Sequence, residues 1–536
     1  MWKQGPMTAF RYILCFLFIL VGGASYAEDI YLASAAAGAE NGTSCVNAKA
    51  YTFFNNAANW GGGAGEIDPG DTVHICGTIT GAANSTLFTF QASGTSGNVI
   101  TLEFESSAIL QAPYFSSNGA ININAKDYVK ITGQGTSDLG VIKNTANGYG
   151  DTYQASSYGI DSGGGTDIEI AYLRIADIYI NSSAATDSDG WSTANILIDD
   201  PSGNWSNILI HDCTLDSAHA GVWANFEGIT ASNLQIYNNS ISDHAWGICV
   251  GAGVSSSIIT DVLIHDNEIT DWDNWYDPYH TDGLIIYSNT GATSSYSGKF
   301  YNNYVHGDLL DFSPSGYIGA GCGGDNFLIY NNLFVCESPS SGDACQVVYN
   351  AGPTDCTAGQ PENTTFYNNT AIGVAIGTGN SWAGKAIRNA RTGMSMTIKN
   401  NIFVDYHHPF EDVSSSYPGF SGDGTTDHNL FYGHTYVVAV DPSYHKTFAE
   451  WQAGPYSQEA NGVEGDPSLD ANYKPDAAND PVVGAGADLS ATFTTDKDGN
   501  TRSGTWDIGA YEYEAAAPAN TIQGMQISWN RTDGLR

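Results

Sequence analysis

Basic residues are scarce: 18 Lys and Arg stand against 57 Asp and Glu in 536 residues, a formal net charge of −39. A field of that sign repels nucleic acid and anionic membranes, so neither is an expected partner. It also disfavours a polyanionic ligand unless Ca²⁺ bridges carboxylates on both sides, and Ca²⁺ is the one cofactor left open. No C-x-x-C pair occurs among the nine cysteines, which leaves a zinc or redox reading with little support. Beyond the N-terminus no apolar run approaches the ~20 residues of a membrane span. Charged residues make up only 14%, and Gly, Asn, Ser and Thr dominate the polar remainder. That balance excludes an acidic disordered tail and argues against a helical protein.

The first 27 residues read as an export signal. Lys3 and Arg11 form the positive region, Tyr12–Gly22 the apolar run, and Ala24–Ala27 a small-residue cleavage site. Cys15 lies inside the apolar run, not at its end, which argues against a lipoprotein. Cleavage near Glu28 would remove two cations, taking the charge to −41, and leave eight cysteines, an even number that permits disulfides. Cys45–Cys76 and a pairing among Cys322, Cys336, Cys345 and Cys356 are expected.

What the chain does have is a repeat. Six-residue windows starting at Ile210, Ile236, Ile264, Phe300, Ile329, Phe366, Ile398 and Thr426 align, from I-H-D-C-T-L to T-D-H-N-L-F, with starts 26 to 37 residues apart. Weaker copies begin near Ile131 and Ile170. The outer positions are nearly always apolar and should face a continuous core. The fourth is Asn in seven of the eight windows, where the chain must bend; Asn tolerates left-handed angles and bonds neighbouring peptides. Stacked at ~4.8 Å, such residues would form a ladder of amides. A fixed core with variable gaps is a solenoid with loops at one or two corners. Leucine-rich spacing is absent, and ~28 residues hardly supply a four-stranded propeller blade.

These N-N-x-I units resemble the right-handed parallel β-helix of the pectate-lyase-like superfamily over about residues 71–432. The resemblance implies an all-β solenoid, expected to be a monomer, with a polysaccharide partner. The fold hosts lyases, hydrolases, epimerases, adhesins and tailspikes alike. Before it, residues 28–70 read as an N-terminal cap with a helix at Tyr51–Trp60. After it, residues 433–513 read as a closing segment and 514–536 as a tail or linker. Asp496 and Asp498 echo half a calcium loop without its distal Glu, so a plain turn competes with an ion there.

The candidate site lies at Ile264–Tyr287. One repeat unit and a strand flank an insertion bearing Asp271, Asp273, Asp277, His280 and Asp282 among Trp272, Trp275, Tyr276 and Tyr279. Acids and rings on a long loop of a rigid scaffold suit a sugar site. Aligning Gly221, Gly247 and Gly283 brings His244, His280 and His306 towards one column, with Trp246 beside it. It also sets Asp282 and Asp308 on adjacent coils, ~5–7 Å apart, with Asp311 near. Carboxylates ~5–5.5 Å apart suit a retaining glycosidase and ~6.5–9.5 Å an inverting one. The same group could bind Ca²⁺, with His280 or His306 as base of an elimination. H-T-D-G followed by G-D-L-L-D is similar to the polygalacturonase pattern N-T-D-G then G-D-D, which implies catalytic Asp282 and Asp308. The family's G-H-G and R-I-K have no counterpart; Arg388 and Arg391, the nearest basic cluster, fall about three coils away. The expectation is an exported glycoside hydrolase or polysaccharide lyase, and the rival is a non-catalytic glycan-binding or adhesin-like surface protein. Turn formation by Asp282 and packing by the rings compete with these roles.

Overall fold

A computed structural model describes residues 27–181, 192–200, 204–226, 228–252, 257–272, 280–288, 295–309, 316–320, 326–337, 345–350, 364–374, 384–389, 396–412, 425–440, 445–453 and 457–514. The export signal and the tail therefore lie outside the described residues, apart from Ala27 and Glu514. So do Cys322 and Cys356.

The chain is a right-handed parallel β-helix. A 14-stranded sheet takes one strand from each coil, and a 24-stranded sheet takes two. We call them face one and, in chain order, faces two and three. The repeat is a register: Ile131, Ile170, Ile210, Ile236, Ile264, Phe300, Ile329, Phe366, Ile398 and Thr426 pair one above the next on face one. All ten are buried. The sixth repeat position opens face two and fills the same core, where Phe334, Phe403 and Phe431 from that position and first-position Phe366 stack in the order Phe334, Phe366, Phe403, Phe431 at centroid spacings of 6.0, 6.3 and 5.7 Å.

The corner between faces one and two divides its work between two residues. The left-handed conformation falls on the third repeat position: φ is +53° to +57° at Asp212, Asn238, Asp266, Asn302 and Asn331, and +48° to +59° at Asn368, Asn400 and His428. The fourth-position Asn turns inward and builds the ladder. Asn239, Asn267, Asn303, Asn332, Asn369, Asn401 and Asn429 each offer Nδ2 to the next side chain, at 2.7–3.1 Å. The last acceptor is the carboxyl group of Glu459, which is fully buried.

The ends differ from the sequence expectation. Tyr51–Trp60 is not one helix but two 3-10 turns, Tyr51–Phe53 and Ala57–Asn59. Asn55 breaks it by leaving the helix to bond Leu87 carbonyl and Thr89 N–H, each at 2.8 Å. The segment still covers the first coil, with Phe54 packed on Trp60, Phe88 and Phe90. At the far end a one-turn helix, Phe448–Gln452, buries Trp451. The closing segment then runs back along the side of the stack. Outward amides of Asn331, Asn368 and Asn400 donate to the carbonyls of Thr495, Asp507 and Ala487.

Cys45–Cys76 and Cys336–Cys345 are disulfides, whereas Cys213 and Cys249 are buried free thiols. No described helix is long and apolar enough to cross a membrane.

Candidate active site

The corner between faces two and three varies from coil to coil. In Thr214–Phe226 and Ser240–Ala252 the chain passes through it as one bent strand. The next coil breaks after Trp272 and resumes at Asp282, delivering His280 to the break. Gly283 follows because the coils close up there: a Cβ would lie 2.6 Å from Tyr317 carbonyl.

His280 and Asp282 form a dyad. His280 Nδ1 is hydrogen-bonded to Asp282 Oδ2; the imidazole is 33% exposed and the carboxylate fully buried. Three side chains fix the turn. Trp246 Nε1 donates to His280 carbonyl at 2.9 Å, Trp272 Nε1 to Asp282 carbonyl at 3.0 Å, and Thr281 hydroxyl to Leu309 carbonyl at 2.5 Å. A buried carboxylate on Nδ1 favours the tautomer with the proton there and leaves Nε2 as the accepting nitrogen.

Other expected residues are placed differently. Asp282 pairs in register with Trp246 below and Gly316 above, not with the Gly307–Asp308 segment. His306 belongs to face two, stacked on Tyr304 at 4.0 Å with Nε2 3.1 Å from Glu268 and Nδ1 3.4 Å from Thr270. The alignment failed because residues 273–279 lengthen the coil before His280. One coil above Asp282 is thus 34 residues on, whereas the V-H-G-D unit, only 26 residues after His280, matches Glu268–Trp272 instead. Asp308 returns to the neighbourhood through Leu309, whose carbonyl meets Thr281.

The three-histidine column is likewise not formed. His244 pairs with Trp272 and points inward, Nε2 2.6 Å from Asn195 Oδ1. Burial first, then nearby His219, lowers its pKa to about 3. Trp272 is core, packed on Tyr317 at 5.5 Å, and so offers no sugar platform. Trp246 is half-buried on the outer surface among His219, Trp223, His280 and Tyr287. Asp271 is exposed with φ +50°. Asp273, Asp277, Trp275, Tyr276, Tyr279, Asp311 and Arg391 lie outside the described residues. Asp496 receives N–H bonds from Asp498, Asn500 and Glu512, and Asp498 ion-pairs with Lys474; both carboxylates serve the turn.

Face three carries two further groups, the first of which the sequence reading missed. Asp161 and Asp199 lie on adjacent coils, Asp161 in register with Leu197. Burial and the Asp199 charge raise Asp161 to about 6 against the Gly163 N–H, and Tyr158 beside them rises to about 12. The shared endings G-I-D and L-I-D were the available signal. Three coils above Ile285, through Gly319 and Tyr349, stands Arg388. It and buried Lys385 flank Glu411 at 3.5 and 3.1 Å. Burial would raise Glu411, but His408 and the two cations hold it at about 2.

No protein-family model and no curated protein matches the chain. Among solved structures it is similar to pectate lyase Pel9A (14% identity, 92% of this chain and 98% of that one, TM-score 0.41). It is also similar to XylC in complex with xylose (10%, 90% and 98%, 0.47) and to the GH136 lacto-N-biosidase from Eubacterium ramulus (12%, 76% and 68%, 0.46). The fold assignment rests on the coil register itself.

Proposed function

We propose that the chain is an exported polysaccharide-active enzyme whose catalytic centre is the His280–Asp282 turn. The observation that carries this reading is the dyad: a partly exposed imidazole backed by a fully buried carboxylate, on a turn held by two tryptophans and a threonine. Such a pair is built for general-base chemistry. With Asp282 sealed behind His280, it cannot itself reach a glycosidic oxygen, so elimination is favoured over two-carboxylate hydrolysis. His280 Nε2 would take the proton next to a uronate carboxylate, and the glycosidic C–O bond would break with its electrons leaving on oxygen. Asp308 would line the same turn, and Trp246 would offer its face to the sugar. The disulfides fit an oxidising compartment outside the cytoplasm.

Hydrolysis is the second reading, favoured by Asp161: a carboxyl group raised to about 6 beside Asp199 has the character of a general acid. The test is a screen of purified protein against neutral and acidic polysaccharides, with and without Ca²⁺, following reducing ends and ultraviolet absorbance of unsaturated uronates. Both signals together mean elimination, and reducing ends alone mean hydrolysis. Silence from folded protein on every glycan would replace the enzyme with the binding or adhesin-like protein.

A further inference from the structure

Near the N-terminal end of face one, far from the His280 turn in the coil order, the outer surface carries a separate constellation. His74, in strand Thr72–Ile75, lies in register between Tyr31 and Glu103. Its ring stacks on Tyr31 with centroids 4.2 Å apart and is largely buried. Nδ1 stands 2.8 Å from Glu105 Oε1 and 3.7 Å from Glu103 Oε1, and Nε2 stands 3.3 Å from Asp29 Oδ1. The strand end is pinned by the Cys45–Cys76 disulfide one residue beyond Ile75.

We propose that His74 Nδ1 and the carboxylates of Glu103 and Glu105 bind a divalent transition-metal ion of the zinc class, with Asp29 bracing the far side of the imidazole. The donor atoms all lie within 4.8 Å of one another. Ligands ~2.0–2.1 Å from a tetrahedral ion sit roughly 3.3 Å apart, and the two Nδ1–oxygen distances bracket that value. A proton on Nδ1 can serve only one of the two glutamates well, leaving the other beside a like charge. A cation at their meeting point satisfies both.

The second nitrogen supplies an independent indication. A metal-ligating imidazole commonly gives its other N–H to a carboxylate, which fixes the tautomer and aims the lone pair at the ion; Asp29 stands where that partner belongs. Stacking on Tyr31 removes the ring's remaining freedom. Glu103 also borders an open hollow of about 520 Å³ with Thr101, Lys130, Gln134 and Tyr172. A nitrogen donor with only two carboxylates suits zinc-like ions better than Ca²⁺, which gathers six to eight oxygens.

Chelator-treated protein would be titrated with Zn²⁺ and separately with Ca²⁺ by calorimetry, alongside His74→Gln, Glu103→Gln and Asp29→Asn. One Zn²⁺ should bind per chain. Its affinity should fall at least tenfold in the first two variants and ~10–100-fold in the third, with no comparable Ca²⁺ site lost. Glu103→Gln, at a partly exposed position, keeps the test valid if His74→Gln fails to fold. Absence of a one-equivalent Zn²⁺ site, or Zn²⁺ binding unchanged in folded Glu103→Gln, overturns the proposal. Equal affinity for Ca²⁺ overturns the assignment to the zinc class.

Discussion

Two of the three corners of each coil use buried polar groups for opposite ends. At the first corner seven successive coils, from Asn239 to Asn429, repeat the same answer: a left-handed residue, then an inward Asn whose amide bonds the next side chain. At the second corner the answer changes from coil to coil, and one such change leaves His280 partly exposed over Asp282. Uniformity serves stability, because a ladder gains from identical neighbours. Irregularity is what the proposed site at His280 needs, one coil unlike the rest.

The sharpest test of that contrast exchanges the consequences. His280→Ala should lower turnover of whatever glycan proves to be the substrate by ~10²–10⁴-fold, the usual range for a positioned base, while shifting the denaturation midpoint little. Asn332→Ala should do the reverse. It removes bonds to Phe300 carbonyl and Asn369, and strips Asn303 of its acceptor. The expected cost is about 3 kcal/mol by denaturant titration, with activity per folded molecule preserved. If Asn332→Ala lost activity while folded, the corners would not be separable.

The same contrast explains what could be read from the chain. The first corner was legible because its period survives insertion: apolar first and sixth positions and the Asn between them recur whatever the loop length. Two details were not. Which of the paired residues turns left-handed depends on backbone geometry, and a helix at Tyr51–Trp60 was undone by Asn55 reaching a neighbouring strand. The second corner was legible only as a place. His280 and Asp282 could be picked out, but their neighbour above could not, since the seven residues from 273 to 279 move the register by a length that spacing alone cannot apportion between faces. Asp161 escaped because it sits in no unusual loop; its only sequence mark is the G-I-D ending shared with L-I-D at Asp199, and burial beside Asp199 is what sets it apart.

Glu459 and Asp161 carry the comparison to a finer scale. Both are buried carboxyl groups raised by burial, Glu459 to about 8 despite two bonds from Asn429, Asp161 to about 6. For a raised acid, the folded state holds the proton over a pH range where the unfolded state has released it. Its stabilising share is therefore complete below the unfolded value and lost as pH rises towards the folded one. Glu459 should make stability fall between about pH 4.5 and about 8, by at most ~1.4 kcal/mol per pH unit. Glu459→Gln keeps the ladder's acceptor and should flatten that slope in denaturant titrations across pH. An unchanged slope would mean that the ladder ends on an ionised group.

Asp161→Asn should act in a narrower window, between about pH 3.8 and about 6, so the smaller change in stability belongs to the group on the face-three surface. Above pH 6 the wild-type carboxylate is ionised beside Asp199, and the amide should be the more stable form there. The separation of the windows follows from what each group faces. Both groups accept N–H bonds that favour the anion and both have another carboxylate nearby, but Glu459 is fully buried at the end of the ladder, whereas Asp161 keeps some exposure on face three. Should the enzyme prove to be a hydrolase, Asp161→Asn would also remove a limb of the activity profile near pH 6, which no change at Glu459 should do. A stability slope that moves without that limb would leave Asp161 as a buried acid and keep catalysis with His280.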